Sequence, residues 1–225
     1  VEKMAYPLPD KPSIAVLPFV NMSDDPKQEY FSDGITEDLI TDLSKISGLF
    51  VIASNSTFTY KGKPVKIRQV AEELGVRYVL EGSVRKAAEK VRITAQLIDA
   101  TAGHHIWADR YDGNMGDVFA LQDKITRKII AALALKLAAP EQEQISRRET
   151  DNPEAYSAFM QGLGYYRQYK PEDLAQAVTY FKKAIELDPN YSHAYAELAL
   201  TYSDIALGHY WLKLDMSYWE AKYLA

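Results

Sequence analysis

"VRITAQLIDATAGHHIWADRYD", Val91 to Asp112, decides the fold. Val91, Ile93, Ala95 and Leu97 alternate with Arg92, Thr94 and Gln96, and successive side chains of a strand point to opposite faces. One face is apolar and suited to a core, and the other is polar. The turn-prone "ATAG" follows, and His105 to Tyr111 alternates again, so the two runs read as antiparallel neighbours. Upstream, Val76 to Arg85 is a third such run, joined through the turn "AAEK". The three runs make a meander.

Further upstream the pattern changes. "SIAVLPF", Ser13 to Phe19, is a short apolar run that leads into the polar "VNMSDDP", a buried strand and its exit loop. Ile35, Leu39, Ile40, Leu43 and Ile46 then share one helical face, with Asp33, Glu37 and Asp38 expected at the positive helix end. Gly48 is expected to stop this helix in a left-handed conformation, and "LFVIA", Leu49 to Ala53, follows as a second buried strand. After the loop "SNSTFTYKGKP", Ile67, Val70, Ala71 and Leu74 mark a short helix closed by Gly75. A β-α-β-α unit thus feeds the meander, which predicts an α/β (α+β) sandwich with a mixed sheet.

Downstream, Val118, Leu121, Ile125, Ile129, Leu133 and Leu137 line one face of a long helix. "APEQEQISRRETDNP" has little apolar content and reads as a connector, after which the pattern becomes all helical. Asn152 before Pro153 is a cap and first-turn pair. Ala177, Phe181, Ala184, Pro189, Tyr195, Leu198, Ala199 and Tyr202 follow the tetratricopeptide order, in which small residues let helices approach and aromatics fill the gap. Tyr195 stands where Trp is usual and Ala199 where Gly is usual, and both are expected to keep the packing role. Tyr156, Phe159, Tyr165, Tyr166, Tyr180 and Phe181 read as packing residues rather than a ligand cage. The expected division is a linker at 1–11, an α/β domain at 12–139, a connector at 140–151 and tetratricopeptide repeats at 152–225, truncated at the carboxy-terminal end.

"HHIWADRYD", His104 to Asp112, holds the ingredients of a metal or acid/base site. An unbroken strand puts His105, Trp107, Asp109 and Tyr111 on one face and His104, Ile106, Ala108 and Arg110 on the other. His105 and Asp109 then stand about 13 Å apart at about 3.3 Å per residue, too far for joint ligation of a zinc ion with bonds of about 2 Å. No metal, no cofactor and no catalytic residue is therefore expected. The chain has no cysteine, which excludes disulfides and thiolate chemistry. It also lacks a phosphate-binding glycine loop, a nucleophile elbow, an H-E-x-x-H pair and an EF-hand loop. A net charge of -5 argues against nucleic acid as a partner. The longest uncharged apolar run, "IIAALAL", is too short to span a bilayer, and no export signal opens the chain. A cytoplasmic location is expected, with the periplasm as the alternative.

"KPSIAVLPFVNMSDDPKQEYFSDGITEDLITDLS", "RYVLEGSVRK", "VRITAQLIDATAGHHIWADRYD" and "DVFALQDKIT" closely resemble the TolB-like amino-terminal domain of bacterial signalling proteins, over nearly all of residues 12–139. That resemblance implies an α/β sandwich, no catalytic residues to carry over, and a place between an output domain and tetratricopeptide repeats. In the version this chain looks most like, the output domain is often a class III adenylate or guanylate cyclase; in others it is a winged-helix DNA-binding domain or a protein kinase. The expected function is a non-catalytic regulatory and protein-interaction module. His193, Ala196, Leu200 and Ser203 would line the repeat groove for a protein or peptide, if Tyr195, Leu198 and Tyr202 pack inward. One alternative is a small-ligand sensor using the loops "NMSDD" and "SNS". The other is a hydrolase pairing His104 or His105 with Asp109 or Asp112, with Asp24, Asp25 or Asp33 as a third group. Trp211, Leu212, Leu214, Tyr218, Trp219 and Leu224 near the end carry an apolar face expected to promote self-association.

Overall fold

The computed structural model describes residues 8–135, 137, 139–146, 149–208 and 210. The linker reading of residues 1–7 and the self-association reading of residues 211–225 lie outside them. The chain divides into two compact units, 1–147 and 148–225.

The first unit is an α/β domain. Its elements are β1 (Ser13–Val16), β2 (Val20–Asn21), α1 (Glu29–Ser44), β3 (Phe50–Val51), α2 (Ser54–Thr57), α3 (Ile67–Leu74), β4 (Tyr78–Ala87), β5 (Lys90–Asp99), β6 (His104–Asn114), α4 (Val118–Ala132) and α5 (Ala139–Ser146). The strands form one mixed sheet in the order β3-β1-β4-β5-β6, with β2 also paired to β4. β1 runs parallel to β3 and β4, and β2 runs parallel to β4. The meander β4-β5-β6 is antiparallel, as its alternation requires.

Residues paired across strands point to the same face. Ile14, Val16, Leu80, Val84, Ile93 and Leu97 share the face on which α1 and α4 pack, and all are buried. On the opposite face, Ala15, Leu17, Val79 and Ala100 form a second core with Val70 and Ala71 of α3. This second cover ends partway along the meander. Beyond it, Ser83, Arg85, Arg92, Thr94, Gln96, Arg110 and Asp112 face away from α1 and α4.

Several local expectations are corrected. α1 starts at Glu29, preceded by a 3-10 turn at Pro26–Gln28 that Asp25 caps by accepting the Lys27 N–H. Asp33, Glu37 and Asp38 therefore lie inside the helix rather than at its positive end, and Asp33 is buried against the Lys61 ammonium. Gly48 is not left-handed. Lys45, Ile46 and Leu49 donate N–H groups to Asp42, Leu43 and Ile46 carbonyls, so overlapping right-handed turns end the helix. Gly75 does cap α3 in the left-handed region, at φ 66°. The loop "SNSTFTYKGKP" contains α2 and a 3-10 turn at Phe58–Tyr60. α4 stops at Ala132 because Ala134 turns left-handed at φ 50° and Leu135 donates back to the Ile130 carbonyl, which leaves Leu137 beyond the helix. The connector stretch contains α5, whose Glu141 accepts the Ser47 N–H at 2.7 Å.

The second unit contains α6 (Pro153–Tyr166), α7 (Pro171–Leu187) and α8 (Ser192–Leu207). Asn152 caps α6 by accepting the Glu154 and Ala155 N–H groups, and its amide donates to the Leu187 carbonyl. Ala177, Phe181 and Ala184 of α7 are fully buried. A Cβ on Gly162 would stand 2.5 Å from the Phe181 ring, so the glycine sets how closely α6 and α7 approach. Phe159 meets Phe181 at 5.6 Å and Tyr191 at 4.8 Å between centroids. Tyr156, Phe159 and Phe181 are core, as the packing reading requires. Tyr195 departs from expectation. It is 48% exposed, and Ala194, Thr201, Tyr202 and Ile205 are the buried positions of α8.

In the first unit Gly82 occupies a position where a side chain is excluded. A Cβ there would stand 2.3 Å from the Thr94 carbonyl oxygen and 2.6 Å from the Phe19 ring, itself 1% exposed. Gly82→Ala should destabilise the domain by about 3 kcal/mol. Combined with Phe19→Ala it should cost less than the two single changes together, because they share one clash. Urea denaturation of the three variants measures this, and strict additivity would contradict it.

Candidate functional site

The nine residues from His104 to Asp112 lie on β6, the edge strand of the sheet. Trp107 is opposite Leu97, yet His105 is opposite Ile98, so Ile106 forms a one-residue bulge. A bulge reverses the parity of everything before it. His105 consequently faces the α3 side, away from Trp107, Asp109 and Tyr111, which corrects the expected grouping.

The consequence for chemistry is direct. His104 and His105 are exposed, and neither shares a face with an aspartate of β6 nearer than five positions along the strand. Asp109 accepts the Arg110 N–H at 2.8 Å. Asp112 is held by Arg92 and Arg110, and the Arg92 hydrogen bond keeps its carboxyl below the usual carboxylate range. Of the possible third groups, Asp33 is engaged by Lys61 and Asp25 by the cap of its turn. No group of three potential metal ligands occurs among the described residues. The arrangement gives the hydrolase reading no support.

The loops proposed for a small ligand are similarly occupied. Asn21 accepts the Ser23 N–H and donates to the Asp25 carbonyl, Ser23 accepts the Lys86 N–H, and "SNS" forms α2. An open cleft of about 680 Å³ does lie nearby, between Pro18 and Val20 and the segment Tyr60 to Val65. Its edge is closed by the Tyr60 hydroxyl, which donates to Glu73. Burial and that carboxylate push the phenol up to about 12.

In the second unit, His193, Ala196, Leu200 and Ser203 fall on one stripe of α8. Leu200 is 52% exposed and Ala196 is exposed. His193 is not a free groove residue. Its Nδ1 lies 2.8 Å from Glu149, its Nε2 3.5 Å from Glu197, and its ring meets the Phe159 ring at a tilt of 47° with centroids 4.9 Å apart. The hydrogen bonds to Glu149 and Glu197 outweigh burial and raise the imidazole to about 10. Periodicity along α8 cannot reveal this contact, because Glu149 lies 44 residues away in a stretch that reads as a connector.

Two expectations follow. A group whose folded pKa exceeds its unfolded value of about 6.5 gives its full stabilisation below that value and loses it as pH rises through the folded pKa. The half-exposed His193 should therefore contribute about 1 kcal/mol, discounted for solvent screening, that disappears between about pH 6.5 and about pH 10. His193→Gln should show a flatter stability profile over that window, as read by denaturation across the pH series. Replacing His104 and His105 together by Ala should change stability by less than about 0.5 kcal/mol, since both side chains are exposed. Calorimetry tests this, and a larger loss would reveal a contact role for the pair.

With this geometry in place, comparison with known proteins gives three findings. The family model described as the HilA/YgeH-like transcriptional regulator, second domain, matches residues 10–128, and a tetratricopeptide repeat model matches residues 180–215. A curated relative from Rhizobium meliloti (strain 1021), named "Putative adenylate cyclase 3", is 54% identical over 193 residues, which are 86% of this chain and 33% of that protein. The chain thus spans about a third of that relative's length. Among solved structures, TolB from Acinetobacter baumannii is 16% identical at TM-score 0.41, covering 58% of this chain and 30% of that one. Lipoprotein GNA1162 from Neisseria meningitidis is 18% identical at TM-score 0.40, covering 53% and 99%. No helix among the described residues is long and apolar enough to cross a membrane. By the match over more than half of its length, the chain belongs to the family of the second domain of HilA/YgeH-like transcriptional regulators.

Proposed function

We propose that this chain is a non-catalytic regulatory module of a bacterial signalling protein, joined to an upstream output domain of the nucleotide cyclase kind and acting in the cytoplasm. The helical repeats recruit a protein or peptide, and the α/β domain at residues 12–139 forms the body that precedes them. The observation that carries the reading is the outward face of α8. Leu200 and Leu207, two turns apart on one stripe, are 52 and 77% exposed on a helix inside a matched tetratricopeptide repeat. Large apolar side chains held outward on a rigid helix are suited to partner anchoring, and stacked repeats present extended binding surfaces. Ala196 and Ser203 flank Leu200 with small side chains, and His193 is held in place between Glu149 and Glu197. The identity to the Rhizobium meliloti protein supports the cyclase association.

The test uses the full-length protein, with Ala196→Glu and Leu200→Glu combined. Both positions are exposed, so the melting temperature should stay unchanged while quantitative affinity capture loses its enriched partner by about tenfold or more, equivalent to about 1.4 kcal/mol. Retention of every partner by a folded double variant would remove this face from the mechanism.

A further inference from the structure

We infer that the uncovered half of the β4-β5-β6 face is a docking surface for a short acidic protein segment, gripped by Arg85, Lys90, Arg92 and Arg110. Arg85 and Arg92 stand directly opposite each other across β4 and β5. Like charges in that relation are destabilising, so the pair is not there for the fold. Thr94 is opposite Arg110, and Arg92 is opposite Asp112, which places Arg110 on the same face one row along. Lys90 precedes Arg92 by two positions and shares its face.

The anions on this end of the face do not match the cations. Asp112 serves both Arg92 and Arg110, the latter at 3.3 Å. Arg85 donates through Nε to the neutral Met22 carbonyl at 2.9 Å. Glu81, at the other end, accepts from the Gln96 amide. The surplus of positive charge occurs in a chain with a net charge of -5. Arg92 and Arg110 side chains are 47 and 62% exposed. Between Arg85, Lys90, Arg92, Gly113 and Asn114 lies an open cleft of about 530 Å³.

The chemistry of the occupant follows from shape and range. Arginine forks match carboxylates bidentately, and Arg85, Lys90 and Arg92 line this cleft. A nucleic-acid duplex would extend past the patch into the field of an acidic protein. A short acidic segment acts within about 8 Å, the screening length at physiological salt, and there meets Lys90 and three arginines against the single carboxylate of Asp112.

The experiment titrates the whole chain against a labelled peptide of about eight residues with alternating Glu and Ser, and against its Gln counterpart, by fluorescence anisotropy. The Glu peptide should bind about tenfold more tightly than the Gln peptide, and the difference should shrink as salt rises from about 20 to about 200 mM. Arg85→Thr and Arg110→Thr should each weaken binding several-fold and abolish it together, with the Arg85→Thr melting temperature unchanged or raised. If the double variant fails to fold, Lys90→Gln alone should still lower affinity. Undiminished binding by the folded double variant, or by Lys90→Gln where the double variant does not fold, overturns the inference. So does displacement of the Glu peptide by pyrophosphate or a short DNA duplex at equal concentration.

Discussion

The Phe19 ring lies against the backbone of Gly82, and the α/β domain depends on that contact. β4 is the strand that joins two kinds of sheet: β1 and β2 run parallel to it, and β5 runs antiparallel. The chain runs along one edge of β4 throughout: β1 pairs with Tyr78 to Leu80, β2 pairs with Ser83 and Val84, and the register slips by one residue across Leu17 to Phe19. That slip needs an anchor, and the missing Cβ of Gly82 provides the space for one. Thr36 adds a second hold by accepting the Phe19 N–H at 2.9 Å, so α1 is tied to the same point. A larger residue at 82 would move β2, the first helix and the register of the meander together.

Much of this was legible in the sequence wherever the pattern was periodic and local. Val91, Ile93, Ala95 and Leu97 alternate without interruption and are buried without exception. Gly75 and the Asn152-Pro153 pair announced their helix ends because a left-handed cap and an N-cap are properties of one or two residues. Ile106 was illegible for the opposite reason. A bulge leaves composition and alternation intact and changes only which residue lies opposite which, a relation set by the partner strand. The end of α4 was hidden because alanine, an ordinary helix residue, takes the left-handed position at 134. Tyr195 was misassigned because motif position implied packing, whereas the helix buries the adjacent Ala194 instead.

Of the residues expected to line the groove, Leu200 and Ala196 are exposed, which helical periodicity alone implies. The setting of His193 is only half visible that way, since Glu197 lies one turn along the same helix whereas Glu149 and Phe159 come from outside it. The cationic row has no signature along the sequence. Arg85, Arg92 and Arg110 are spread over 26 positions and adjoin only when three strands are laid side by side. Charge that looks dispersed along a chain becomes concentrated once a sheet forms, and only strand register reveals it.

β6 carries one more consequence. It is the outermost strand of the sheet and eleven residues long, a length that would suit recruitment of a foreign strand into an aggregate. Its sequence works against that outcome. The bulge at Ile106 bends the strand, Asp109 caps the Arg110 N–H with its own carboxylate, and Arg110 and Asp112 keep charge along the rim. A protein that carries several domains in tandem holds its edges at high local concentration, where neighbouring copies could exchange strands during synthesis. The blunted rim of β6 makes the sheet a poor template for strand exchange, so its open edge need not recruit a second copy.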